Sequence, residues 1–181
     1  MIEERVQQQE QRTEDTDTTP IRVKKLGHVV FRVSDLERTT RFWTDIMGFK
    51  VSDTNERGMV FLRNASDHHS IALAPSDGAE GLPDKDQVGF DHLALEVGSV
   101  ADLFRIREFL RQKGVKIVFE GRRGPGCNPG VEFVDPDGYQ LELYASMDQI
   151  GWDGKSRPPN EWRRASSLEE VVANPPPGVQ Y

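Results

Sequence analysis

With one cysteine in 181 residues, the chain cannot close a disulfide on itself. That fits a reducing, cytoplasmic setting and leaves Cys127 as an incidental loop thiol. Positive charge is also short: 23 Lys and Arg against 30 Asp and Glu give a formal net charge of −7. A nucleic-acid partner would call for a basic patch or stripe, so none is expected. No apolar run approaches the ~18 residues that a membrane span needs. The first twenty residues, MIEERVQQQEQRTEDTDTTP, lack the apolar stretch of a secretory leader and have almost nothing to bury. Residues 1–20 are expected to be a disordered tail.

What the chain does have is an alternation of strand-like and helix-like patterns over residues 21–146. Beyond it, residues 147–181 hold five of the eleven prolines and two of the three tryptophans. This extension is expected to be irregular, with one short helix at Leu168–Ala173 capped by Ser166 or Ser167, and to wrap over the body. Trp152 and Trp162 argue against simple disorder.

The body contains a repeat. Gly27-His28-Val29-Val30-Phe31-Arg32-Val33 and Asp91-His92-Leu93-Ala94-Leu95-Glu96-Val97 share the pattern x-His-apolar-x-apolar-x-Val, with the histidines 64 residues apart. A helical stripe follows each: Leu36, Thr40, Trp43 and Met47 in the first copy, Leu103, Ile106 and Leu110 in the second. Each stripe ends at a glycine, Gly48 or Gly114, as helix C-termini favour. Three strands then complete each copy: Phe49–Val51, Met59–Leu62 and Ser70–Ala74, then Val115–Phe119, Gly130–Val134 and Tyr139–Tyr144. The expected fold is α+β: two βαβββ modules, about residues 24–75 and 88–146. They pair into a cupped, barrel-like mixed sheet with helices outside.

Strand alternation assigns the faces. Val29, Phe31 and Val33 oppose His28, Val30 and Arg32; Leu93, Leu95 and Val97 oppose His92, Ala94 and Glu96; Leu141 and Leu143 oppose Glu142. The apolar faces must cover the helices. The other faces line the cup, where His28, His92 and Glu142 form a 2-His-1-carboxylate set suited to one divalent metal.

At these residues the sequence resembles the vicinal oxygen chelate superfamily, which includes glyoxalases, bleomycin-resistance proteins and extradiol ring-cleaving dioxygenases. The resemblance covers about residues 24–146 and is strongest over GRRGPGCNPGVEFVDPDGYQLELY, residues 121–144. It places the family's metal positions on His28, His92 and Glu142. A fourth protein ligand, present in glyoxalase-type members, would fall on Ala72, which cannot ligate. Open metal positions suit iron(II), or manganese(II), holding a diol while O2 binds beside it. The resemblance is therefore closest to the extradiol branch and implies His69, with His68 in reserve, as the acid–base group. It also places Arg123 and Glu132 where relatives carry histidine and tyrosine. Arg123 can pair with a substrate anion, and Glu132 can act as a base or as Arg123's partner.

The expectation is thus a cytoplasmic ring-cleaving dioxygenase of aromatic compound catabolism, taking a small aromatic diol and O2 and forming a homo-oligomer. A non-oxidative lyase or isomerase of the same superfamily, and a protein that binds a small aromatic ligand without turnover, are the alternatives. The polar insertion over residues 75–88 and the C-terminal extension are each expected either to cover the cup mouth or to act as connector and packing arm.

Overall fold

The structure is a computed structural model and describes residues 21, 23–76 and 88–181. The tail and most of the 75–88 insertion lie outside the described residues. Strand β1 (Val29–Val33) leads into helix α1 (Leu36–Arg41), which Asp35 caps by accepting from the Arg38 amide. The helix then widens into a π-turn over Phe42–Ile46, with the Met47 amide bonded back to the Phe42 carbonyl at 3.1 Å. Sequence periodicity expects one regular helix here. The five-residue step instead lets Phe42 and Trp43 be buried side by side. Strands β2 (Lys50–Thr54), β3 (Val60–Arg63) and β4 (Ile71–Pro75) complete the first module.

The second module repeats the order: β5 (His92–Glu96), α2 (Val100–Gln112), β6 (Ile117–Arg122), β7 (Pro129–Val134) and β8 (Gln140–Tyr144). Ser99 caps α2 through the Asp102 amide, and Gly114 closes it at φ +70°, a conformation that costs glycine little. The strand orders are β1-β4-β3-β2 and β5-β8-β7-β6, so the modules have the same topology. In each, the first strand lies at a sheet edge and pairs in parallel with the last strand.

Alternation sorts the side chains as the pattern demands. Phe31 and Val33 are buried while Val30 and Arg32 are exposed. The buried faces of both modules contribute to one apolar core, which includes Trp43, Leu73, Leu103, Phe133 and Leu141. On the helical side the modules are joined by a polar contact. Asp137, in the turn between β7 and β8, accepts from the Ser34 amide at 2.9 Å, Arg38 Nη2 at 2.9 Å and Thr39 Oγ1 at 2.5 Å.

The C-terminal extension packs along the β6 edge and against α2. Its helix α3 (Leu168–Ala173), capped by Ser167, buries Leu168 and Val171 and sends Glu169 to Arg107 of α2 at 2.9 Å. Arg122, at the end of β6, is buried beneath it. Its guanidinium donates to the carbonyls of Arg163 at 2.7 Å and Asn174 at 2.5 Å and to the Tyr181 hydroxyl at 2.9 Å. The extension is therefore a structural part of the second module, and within this chain it lies along the sheet edge. Cys127 is buried under it, 3.5 Å from the Trp162 carbonyl, and burial pushes its thiol pKa up.

Candidate metal centre

The second module carries the more complete half of the site. His92 opens β5 and Glu142 sits on β8, one step along the parallel ladder. His92 Nε2 lies 3.5 Å from Glu142 Oε2. Two ligands about 2.1 Å from one ion are separated by roughly that distance. On the far side of the ring, Nδ1–H donates to Asp91 Oδ2 at 2.5 Å. A carboxylate only accepts when ionised, so this bond leaves the Nε2 lone pair free to face Glu142.

Glu142 is held as well. Asn128 Nδ2 donates to its Oε1 at 3.0 Å, and the carboxylate crosses β7 over Gly130, where a Cβ would come within 2.5 Å of Oε1. Burial raises the Glu142 pKa, and the adjacent Glu132 adds to that; His92 and Arg123 oppose it. With Glu142 half-buried and each side chain held by a hydrogen bond, this pair fits a divalent cation.

His28 is not part of that pair. It stands just ahead of β1 with its ring centroid 4.7 Å from that of His69. His69 Nδ1 in turn lies 3.0 Å from His68 Nδ1, and His68 Nε2 is 3.8 Å from Asp53. Among the described residues, no three His, Cys, Asp or Glu side chains converge on a single metal position. The chain thus presents the expected triad as two pieces, one per module. His69 is half-buried and next to His28, whereas His68 is exposed. Residues 64–70 precede β4 as bends, so strand parity does not govern which of the two turns inward. Desolvation lowers the His69 pKa, with help from His28 and His68.

The two ladders also align the empty fourth position. Val30 pairs with Ala72 in the first module as Ala94 pairs with Glu142 in the second. Ala72 therefore occupies the counterpart of the carboxylate, and it is buried. Arg123 and Glu132 meet in a two-bonded ion pair, Nε to Oε1 at 2.6 Å and Nη2 to Oε2 at 2.8 Å, with Gln140 Nε2 also donating to Glu132. Arg123 lies flat over Phe119, 3.9 Å from the ring centroid.

Residues 25–143 match the model of the Glyoxalase/Bleomycin resistance protein/Dioxygenase superfamily. The chain belongs to this superfamily. Within it, the chain is 28% identical over 144 residues to the metapyrocatechase of Pseudomonas sp. (strain CF600), covering 78% of this chain and 45% of that protein. It is 27% identical over 130 residues to the manganese-dependent 2,3-dihydroxybiphenyl 1,2-dioxygenase of Geobacillus genomosp. 3, covering 70% and 38%. It is 30% identical over 132 residues to the lactoylglutathione lyase of Salmonella typhimurium, covering 68% and 94%. The chain thus spans less than half the length of the first two relatives and nearly all of the third.

The superfamily is metal-dependent and contains enzymes, with dioxygenases and lyases both among this chain's relatives. No helix among the described residues is long and apolar enough to cross a membrane. Sequence reasoning missed three residues that shape the site: Asp91, Asn128 and Gly130. The Asp-His pair was readable as an orienting carboxylate beside a ligand. Asn128 and Gly130 act through a neighbouring strand, and only the register brings them to Glu142.

Proposed function

We propose that the chain is a metal-dependent ring-cleaving dioxygenase for a catechol-like diol, with iron(II) as its metal. The observation that carries this reading is the relay Asp91–His92–Glu142 combined with alanine at the fourth position. Two oriented ligands plus His28 make three, and Ala72 adds none. A metal held so would bind two vicinal oxygens and favour their ionised form. The chain's own residues do the rest. Asp91 fixes the His92 tautomer, Asn128 and Gly130 set the Glu142 pose, and His69 beside His28 exchanges protons with the diol.

Because His28 is apart from His92 and Glu142, the reading includes a second copy. We propose that His28 of one copy meets His92 and Glu142 of the other across the open edges of β1 and β5. Unpaired edge strands invite such association. Exposed apolar side chains in the segments leading into both strands, Leu26 at 74% and Phe90 at 54%, support an interface there.

The test is anaerobic loading with Fe(II), addition of a catechol panel, then air. Expected are a substrate-induced change in the metal's spectrum before oxygen, O2 consumed one-to-one with substrate, and an absorbing ring-opened product. His69→Phe should keep the anaerobic signal and slow product formation by ~10²–10⁴-fold. If no diol consumes O2 but Mg²⁺ or Mn²⁺ supports a non-oxidative reaction, the lyase reading replaces this one. That second reading draws on the near full-length match to the lactoylglutathione lyase.

A further inference from the structure

A groove of about 550 Å³ opens beside the metal-facing row of the second module, between Phe119, Arg123, Pro125 and Arg164. Three of these come from β6 and the loop after it. Arg164 comes from the C-terminal extension, outside the residues matched to the superfamily. The extension packs the Trp162 ring within 3.0 Å, and Arg164 Nε within 3.6 Å, of where a Cβ on Gly124 would stand. A bare glycine at 124 thus leaves room for the Trp162 ring, with Arg164 in ordinary contact beside it. Arg164 also lies 5.8 Å from the Trp162 ring centroid.

The charges around this groove are unequally committed. Arg123 spends both faces of its fork on Glu132. Glu170, the groove's acid, is engaged by the Ser166 amide at 2.8 Å and hydroxyl at 3.0 Å. Arg122 is buried against carbonyls. Among the described residues, no carboxylate lies within ion-pair distance of Arg164. In a chain of net charge −7 this is a guanidinium with no ion-pair partner among the described residues, at the lip of a partly apolar groove. The distance to the metal centre is fixed by the sheet. Phe119 pairs with Glu132, and Glu132 with Glu142, so the groove wall stands two strands from Glu142, or about 10 Å.

We infer that this groove seats an anionic arm of the substrate, a carboxylate read by Arg164, on an aromatic body lying against Pro125 and the stacked Arg123 and Phe119 side chains. The substrate class is then an aromatic diol that carries a carboxylate arm on the side of the ring away from its chelating oxygens. The diol part rests on the dioxygenase reading; the anion site does not. It also reassigns the role expected of Arg123, which stays with Glu132 and builds the wall.

The test uses the full-length protein without metal and two probes of the same shape, 3-phenylpropionate and 3-phenylpropionamide. The Trp162 indole N–H resonance, assigned with Trp162→Phe, reports binding. The carboxylate should bind about tenfold more tightly than the amide, and added salt should erase the difference. Arg164→Gln should bring the carboxylate to the amide's Kd and leave the amide unchanged, while Lys155→Gln, a cation outside the groove, changes neither. Equal affinities in the unmodified protein, undetectable carboxylate binding, or an Arg164→Gln variant with full carboxylate affinity would overturn the inference. Neither probe carries a diol. Failure of every catechol to turn over would therefore sink the dioxygenase reading and leave a positive groove result standing. Conversely, equal kcat/KM for catechol and 3-(3,4-dihydroxyphenyl)propionate would remove the anion site alone.

Discussion

Glu142 owes its pose to a missing atom. With only hydrogen on Gly130, the carboxylate crosses β7 and reaches both Asn128 and His92. Gly130→Ala should rotate it away without unfolding the sheet, because the colliding atoms belong to a flexible side chain. Titration against a competing chelator should then show metal affinity reduced by about 10–100-fold, the range for lost orienting contacts. Asp91→Asn should fall in the same range, through loss of tautomer control. Retention of metal by both variants at full affinity would remove Glu142 and His92 from the site. A different residue governs stability against pH. Burial raises the Asp135 pKa to about 6, although the amides of Tyr139 and Asp137 bond to it. The folded state then holds this proton more tightly than the unfolded chain. Its contribution should favour folding below pH 4 and fade as pH rises through 6, by at most about 3 kcal/mol. Asp135→Asn should flatten that part of the profile while keeping the turn's acceptor. An unchanged slope in Asp135→Asn between pH 4 and 6 would show that another group is responsible.

Most elements were legible because period-2 and period-3.6 patterns survive in a sequence whose two modules each bury one face. The histidine strands, the helix stripes and the short helix after Ser167 all follow from that rule. The π-turn at Phe42–Ile46 was not, since a one-residue insertion into helical spacing leaves composition unchanged. Nor was the place of the extension, whose proline-rich stretches carry no period. The contacts that dock it on the body are long-range: Arg122 to residues 163, 174 and 181, and Arg107 to Glu169. A chain ending at residue 157 should accordingly be strongly destabilised. It loses burial of Leu168 and Val171, worth about 1.5–3 kcal/mol each, and the hydrogen bonds that Arg122 makes to the extension. Thermal unfolding measures this directly. A truncated chain with the full-length midpoint would reduce the extension to a loose cover.

At the scale of the molecule, periodicity orders each module but does not say how two modules sit in space. The sequence therefore suggested one triad, while the chain holds His28 with His69 and His92 with Glu142. If two copies complete each other, His28→Ala and Glu142→Ala should each fail to hold metal alone. Unfolded together and refolded as a mixture, they should regain roughly a quarter of the sites, since half of random pairs are mixed and each mixed pair has one intact site. No recovery, with both variants folded, would place the triad within a single chain.

The buried Arg122 also sets a schedule. Its partners at Asn174 and Tyr181 are 52 and 59 residues further along the chain. During synthesis at about 5–20 residues per second, the β6 edge must wait several seconds for them. Through that interval a complete second sheet would expose a positive charge at a site meant to be dry. The second module stays incomplete until then, and a ribosome paused near codon 160 should carry a chain still sensitive to protease.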